Sequence, residues 1–595
     1  MLIFLLFSIV CGQNIILNPS FEEVNSDNKP LHWNLRDDVE ISSDSHSGNK
    51  SLKFKITNKT TSISQAIKIE KGFQYEICVH FKFINNIKQR LLRFRIQNLN
   101  HTPGFYEYYD TRSFSTFKEW KKVCVITAAI KKPVSDSDPY YFVIYSYSAK
   151  QNAEGYVDDI SMKRINFFIG INNDRDEVYD NLNVVYQING NKENYNISDF
   201  ELKTRIKDDK KIFKEYNIKI TSLFFTNSIN IKKIGLKENN YYQVECILKN
   251  KKDNITDISS YPFKKINSNI KRNVTYDQYG RMFINDELFF PFGIYTVTTN
   301  ERELMLINQT HLNMIKSYST NKKIMDMIYS AKQGNIKIIY GFNVSYISNS
   351  LISDLEKEEY FKNNIIDKVN EFKDHPGLLA WYINDEQPYY FNKYFRNITL
   401  SIHELDPNHP TYTVIMPYGE MPLLLNTTDI MGVDCYPIGK HPIREVNLLM
   451  GKESERPLGK PNIPVIQIFD WSISNETTSG KPEPPTLQEM RSMSWQSQVL
   501  GAKGLMLYCI YEIIAMDKIS PIEDRWKDII EFTDEIWKYK DVILSIDKVN
   551  KIEYIQNNNV SFRQWKYNKS NYIAIVNLER EKEIFKINLL DKYNI

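Results

Sequence analysis

From residue 291 onward, eight short apolar runs recur, each separated from the next by a segment of helical or loop character. They cover 291–297, 312–319, 337–343, 378–384, 411–416, 430–436, 464–471 and 503–511. Strands that alternate with helices pack as a parallel sheet, and eight is the number that closes such a sheet into a (β/α)8 barrel. The helices are legible too. Phe361, Ile365, Val369 and Phe372 recur at helical spacing between the third and fourth runs. Ser353 with Glu356 forms a capping box ahead of them, and Pro376 closes the segment. Thr486 with Glu489 forms a second box before the eighth run. There Leu487, Met490, Met493 and Leu500 are set to face the sheet, and Gly501 is a ready C-terminal cap. A hairpin over 281–290, turning at Asn285-Asp286, leads into the barrel.

At 595 residues the chain exceeds one domain. Residues 14–165 carry short alternating runs such as Ser51-Leu52-Lys53-Phe54-Lys55-Ile56, the pattern of a β-sandwich of jelly-roll type. Residues 166–273 read as a smaller, immunoglobulin-like β-sandwich that spaces its neighbours. The barrel is expected over 276–547, and a short C-terminal β segment, an incomplete sandwich, over 548–595. The fold class is therefore multidomain: two N-terminal β-sandwiches, a TIM barrel and a β appendage.

The formal charge of +3 is nearly neutral for this length, and no basic stripe is interleaved with aromatics. Nucleic acid is excluded as a partner on that ground. No run beyond the N-terminus is long and apolar enough to span a membrane. Residues 1–12 are apolar with small residues near Cys11-Gly12 and read as a signal peptide, so a secreted or lumenal location is expected. Asn-x-Ser/Thr sequons from Asn49 to Asn568 agree with a glycoprotein. Cys78 and Cys124 lie in strand-like runs and are able to pair; Cys246, Cys435 and Cys509 read as buried thiols. No Cys-x-x-Cys or His-x-x-x-His spacing calls for a structural metal, and no cofactor is required. The sequence does not set the oligomeric state.

Barrel proteins present chemistry at the C-terminal ends of their strands. Those ends carry Tyr295, Tyr318, Tyr340 and Asn343 on the first three, then Asn384, Asp385 and Glu386 on the fourth. Asp434 and Tyr436 end the sixth, Gln467, Asp470 and Trp471 the seventh, and Tyr508, Tyr511 and Glu512 the eighth. Carboxyls move protons, amides bind hydroxyls and aromatic faces stack on pyranose rings, so this set points to a glycan as substrate or ligand.

Two stretches resemble known families. Asn18-Pro19-Ser20-Phe21-Glu22, Ser47-Gly48-Asn49-Lys50-Ser51-Leu52 and Val157-Asp158-Asp159-Ile160-Ser161 resemble the galactose-binding-like carbohydrate-binding modules. That resemblance implies a structural calcium stapling the sandwich, with Glu22 and Asp158 as candidate ligands. His375-Pro376-Gly377-Leu378 through Trp381-Tyr382-Ile383-Asn384-Asp385-Glu386-Gln387-Pro388 resembles the fourth strand of clan-A glycoside hydrolases. So do Pro464-Val465-Ile466-Gln467-Ile468-Phe469 and Gly501-Ala502-Lys503-Gly504 further on. The resemblance implies a secreted glycoside hydrolase cleaving O-glycosyl bonds, with Glu386 as general acid/base. It also implies a glutamate nucleophile on the seventh strand, where this chain has Gln467. Asp470, the only acid of that run, then stands first as second carboxylate, and Asp434 next; Glu512 is a third choice. The competing expectation is an inactive, carbohydrate-binding or adhesin-like surface protein that uses the same cleft.

Overall fold

The computed structural model describes residues 8–10, 14–36, 38–84, 92–98, 106–109, 119–127, 130, 139–146, 152–189, 196–252, 255–267, 271–342, 359–387, 391–416, 421–448, 459–474, 484–515, 521–549, 553–554, 559–581, 583 and 587–588. Asn343, Pro388 and the Ser353–Glu356 capping box lie outside them.

The N-terminal sandwich has two five-stranded sheets. One runs Val39–Ser42, Ser51–Ile56, Ala153–Ile165, Gln74–Phe83, Lys121–Ile126; the other runs Asn34–Leu35, Ser62–Ile67, Tyr140–Ser146, Leu92–Asn98, Tyr106–Tyr109. Alternation decides which side is core. Leu52, Phe54 and Ile56 are fully buried, while Lys53 and Lys55 point away. Cys78 and Cys124 face each other across Gln74–Phe83 and Lys121–Ile126 and form a disulfide.

The second sandwich sets Ile255–Lys265, Tyr241–Asn250, Phe200–Lys207 and Ile212–Ile218 against the three-stranded sheet Phe167–Ile171, Asn181–Ile188, Phe224–Asn230. Within the expected leader, Ser8–Val10 pairs antiparallel along Ile255–Lys265. This sandwich meets the barrel through buried charge. Lys460 Nζ lies 2.6 Å from Asp176 Oδ1, and Arg175 bonds Asp174 and the carbonyls of Val274 and Asn408.

The lead-in hairpin pairs Met282–Ile284 with Glu287–Phe289 and turns at Asn285 and Asp286, both left-handed at φ 51° and 68°. Eight parallel strands then close into a barrel: β1 Phe292–Thr296, β2 Met314–Ser317, β3 Lys337–Gly341, β4 Leu378–Asp385, β5 Thr411–Ile415, β6 Ile430–Cys435, β7 Val465–Gln467 and β8 Leu505–Tyr508. β1 pairs with both β2 and β8, which leaves no edge. Gly432 on β6 is a packing requirement: a Cβ there would stand 2.5 Å from the Tyr412 hydroxyl, which fills the barrel and donates to Ile463 O. Outside, Ile365, Val369 and Phe372 are buried as the helical spacing predicts. Thr486 and Glu489 make both bonds of their capping box on the helix Leu487–Val499, and Gly501 takes φ +104° just past its end.

Seven of the eight strands are shorter than their apolar runs. β7 stops at Gln467 rather than 471, β8 stops at Tyr508 where the helix Ile510–Ala515 begins, and β3 stops at Gly341. Apolarity continues past each strand because the chain stays buried as it turns, so the run overestimates the pairing. After the barrel, Val560–Tyr567 and Ser570–Asn577 form a hairpin that lays Trp565 and Val576 on Val499, with Glu553–Tyr554 pairing Ile587–Asn588 beside it.

Candidate functional site

β4 is built to deliver its end. Leu378, Trp381 and Ile383 pack outward against the helices, while Leu379, Ala380 and Tyr382 fill the barrel; the pairing with β3 slips between Leu378 and Ala380. The turn after the strand is held by side chains. Asn384, fully buried, accepts from Gln387 N at 2.8 Å and donates to Gln387 O. Gln387 Nε2 returns to Asp385 O at 2.8 Å. Glu386 sits at φ 53°, a left-handed conformation that costs a glutamate roughly 1–3 kcal/mol, and its N–H is pinned to Val414 O on β5 at 2.8 Å. The backbone strain aims this side chain at the mouth.

Across the mouth, the Asp434 carboxyl at the end of β6 interacts with that of Glu386 and with the Tyr436 hydroxyl. Burial, then the charges of Glu386 and Asp385, hold Asp434 well above the usual carboxylate range. Two acids from different strands thus oppose each other's ionisation in a buried setting. Asp434 Oδ1 is buried without a hydrogen-bond partner.

Tyrosines surround these acids. Tyr295 donates to the Tyr382 hydroxyl at 3.2 Å, which donates to Asp385 Oδ1 at 2.9 Å. Tyr318, 41% exposed, opens to solvent, and the charge of Asp385 acts on its hydroxyl. Burial and then Asp385 raise the Tyr318 and Tyr382 hydroxyls above their ordinary value, so both stay protonated donors. On the opposite side the Tyr436 ring stacks on Tyr508 at 5.5 Å and meets Trp471 edge-on at 6.3 Å; Trp471 donates Nε1–H to Tyr436 O. The peptide between Tyr508 and Cys509 is cis.

Lys316 belongs to this constellation although the strand-end reading passed over it. It lies on β2, 2% exposed, with Nζ 3.0 Å from the Tyr318 ring centroid, 4.6 Å from that of Tyr382 and 5.5 Å from that of Tyr295. Burial lowers it to about 7, against the pull of Asp385 and Asp434. A buried lysine boxed by ring faces is poised between its charged and neutral forms.

Other residues named from the sequence have different surroundings. Asp470 is 1% exposed; Oδ1 caps the 3-10 turn Trp471–Ser474 by accepting from Ser472 N at 2.6 Å, and Oδ2 has no hydrogen-bond partner. Its charge acts on Arg525. No hydrogen bond joins it to Glu386 or Asp434. Gln467 is wholly used by backbone: Oε1 accepts from Ile438 N, and Nε2 donates to Ile438 O and Phe469 O. It clamps the loop after β6 to β7. Tyr511 is 46% exposed in the helix after β8, and Glu512 beside it is raised by burial, with Oε2 buried and unbonded. His375 accepts from Gly377 N in the turn before β4.

In the N-terminal sandwich, Glu22 Oε1 accepts from Asn49 N and Lys50 N. Asp158 accepts from the N–H groups of His46, Ser47 and Asp159 on its two oxygens. These oxygens are held by donors that a calcium ion would have to displace, so the expected pair does not fit a calcium cradle as folded.

No protein-family model matches the chain, and no curated protein sequence is significantly similar to it. Among solved structures, the chain is similar to β-glucuronidase 2 of Bacteroides uniformis bound covalently to cyclophellitol-6-carboxylate aziridine. The identity is 10%, coverage is 76% of this chain and 59% of that one, and the TM-score is 0.30. A β-glucuronidase of an uncultured Clostridium sp. matches at 12% identity over 76% of this chain and 81% of that one, TM-score 0.32. That of Ruminococcus gnavus in complex with D-glucuronic acid matches at 10% over 76% and 82%, TM-score 0.31. Likeness at this level says nothing about chemistry, and the barrel assignment rests on the strand pairing described above.

Proposed function

We propose that the chain is a glycoside hydrolase acting on a glycan at the barrel mouth, with Glu386 as general acid/base and Asp434 as its partner carboxyl. One observation carries the reading: two carboxyls from different strands, Glu386 and Asp434, act on each other inside a tyrosine- and tryptophan-lined mouth. One member of such a pair is protonated and the other ionised at the same pH, which is the state general acid–base hydrolysis needs. Tyr295, Tyr318 and Tyr382 supply hydroxyl groups and Asp385 an acceptor for the hydroxyls of a glycan, and Tyr436 and Trp471 offer ring faces. The chain is further proposed to be secreted. Residues 1–12, the exposed sequon asparagines Asn49, Asn58, Asn196, Asn273, Asn308 and Asn568, and the Cys78–Cys124 disulfide support this. Asn426, 6% exposed, is a poor acceptor in the folded chain. Among the described residues no helix is long and apolar enough to cross a membrane.

The rival, a non-catalytic glycan-binding barrel, has one observation in its favour. Gln467, where the resembling hydrolases carry a glutamate, spends its amide on backbone groups and offers no carboxylate. A panel of aryl glycosides and natural glycans separates the readings. Hydrolysis by the wild type that falls about 10²–10⁴-fold in both Glu386→Gln and Asp434→Asn is expected. Hydrolysis untouched by Glu386→Gln overturns the assignment, and saturable glycan binding without turnover establishes the rival.

A further inference from the structure

We propose that His46, His80 and Asp159 form a divalent transition-metal site on the N-terminal sandwich. It is separate from the barrel mouth and from the Glu22 and Asp158 carboxyls expected to hold calcium. One potential ligand atom from each of the three side chains lies within 4.8 Å of the others. Three different segments bring them together: His46 comes from the loop before Ser51–Ile56, His80 from the strand Gln74–Phe83 and Asp159 from the strand Ala153–Ile165.

The local fold is shaped around this meeting. The pairing of Ala153–Ile165 with Gln74–Phe83 slips between Asp158 and Ser161, and Asp159 within that bulge takes φ 44°. A bulge re-aims a side chain that regular pleating would direct elsewhere. Here it turns Asp159 towards His46, with His46 Nδ1 2.6 Å from Asp159 Oδ2. The two imidazoles stack at 3.9 Å between centroids, 19° from parallel.

Each candidate ligand is oriented by a further group, as metal ligands are. His80 Nδ1 faces the Asp159 carbonyl oxygen at 3.4 Å. A carbonyl only accepts, so Nδ1 carries the proton and Nε2 keeps its lone pair for a metal. Ser47 Oγ donates to Asp159 Oδ1 at 2.8 Å, steadying the carboxylate while Oδ2 faces His46. Asp158, fully buried beneath, receives the His46 and Ser47 N–H groups and fixes the loop. Zinc ligands stand about 2.0–2.2 Å from the ion, hence roughly 3–4 Å from one another, so a small readjustment of these three side chains completes the set. Two imidazoles and one carboxylate select a borderline ion such as Zn²⁺, Ni²⁺ or Co²⁺ over Ca²⁺ or Mg²⁺. The side chains of His46 and Asp159 remain 38% and 24% exposed, which leaves room for water at the remaining position.

The full-length protein, stripped with EDTA and titrated calorimetrically with ZnCl₂, is expected to bind one ion per chain. His80→Gln and Asp159→Asn should each weaken this by about tenfold or more. Trp120, whose ring lies 6.0 Å from that of His46, gives a local report: Ni²⁺ should quench its fluorescence, and Trp120→Phe should remove that component. X-ray absorption of the zinc-loaded wild type should show N/O ligation including two imidazoles, a result that needs no variant to fold. The absence of saturable Zn²⁺ binding, or zinc bound with equal strength by the His80→Gln/Asp159→Asn double variant, overturns the proposal.

Discussion

Two buried clusters of acids lie at opposite ends of one energetic choice. Where the second sandwich meets the barrel, burial lifts Asp176, and Lys460 at 2.6 Å and Arg396 at 4.0 Å act against that lift. Burial also lifts Asp429, but His403 at 2.8 Å, then Lys460 and Arg175, outweigh it and hold the carboxyl below its ordinary value. At the barrel mouth, burial lifts Asp434, and the charges of Glu386 and Asp385 push the same way. The joint between domains meets its acids with cations; the mouth sets acids against acids. Cations oppose the lift that burial gives an acid, whereas neighbouring acids add to it, and groups perturbed in the second way gather at functional sites.

The most severe way to break this contrast is to remove a matching cation. Lys460→Met leaves Asp176 buried without its closest partner, and a broken buried pair costs about 3–5 kcal/mol. Denaturant unfolding of the full-length protein should show that loss. Asp434→Asn, which replaces a group whose protonated form burial and its acidic neighbours already favour, should change stability by about 1 kcal/mol or less. Equal costs for the two variants would abolish the distinction.

Acid and base titrations sharpen it. Asp429 is held below its unfolded value, so its contribution is fully present above about pH 4 and is lost as pH falls through the folded value. Asp434 is held above its unfolded value. Between about pH 4 and that raised value the folded state binds more protons than the unfolded, so stability falls as pH rises. The slope from one such group is at most about 1.4 kcal/mol per pH unit. Asp434→Asn should flatten the melting-temperature profile above pH 4, leaving the acid limb intact. An unchanged profile would mean that Asp434 is ionised in the folded protein.

The joint and the mouth were unequally legible in the sequence. Seven of the eight barrel strands lie within the apolar runs and β4 passes its run by one residue, because a parallel strand buried on both faces has to be largely apolar. The Thr486–Glu489 box and the Asn285-Asp286 turn were legible because their partners lie within a few residues. The mouth depends on distant pairings. Asp434 and Glu386 meet because β6 and β4 flank β5, which no local pattern records. Asp470 looked like a strand-end acid because apolarity ran on to Phe469, yet the strand stops at Gln467 and Asp470 caps a turn. Lys316 within Met314-Ile315-Lys316-Ser317 looks like an ordinary polar residue of a strand, and only Tyr295, Tyr318 and Tyr382, from other positions around the rim, make it a boxed cation. His46 and Asp159 are brought together by a bulge that leaves no signature in composition.

The contrast extends to the lysines, and the smallest expected effect tests it there. Lys460 is held by a carboxylate; Lys316 is held by ring faces, with no ion pair among the described residues. Removing Lys316 exposes no buried counter-charge that depends on it for a hydrogen bond. Lys316→Met should therefore shift stability at pH 7 by only about 1 kcal/mol, since the lost ring–cation attraction and the relieved desolvation oppose each other. Its signature is the direction of change with pH. Burial lowers Lys316 to about 7. Between there and the ordinary lysine value near 10.4, the folded state holds fewer protons than the unfolded, so this residue makes stability rise with pH. Lys316→Met should remove that rise while Lys460→Met leaves it in place. If the two variants show the same alkaline slope, Lys316 is an ordinary buried cation and the mouth has no second titratable charge beside its acid pair.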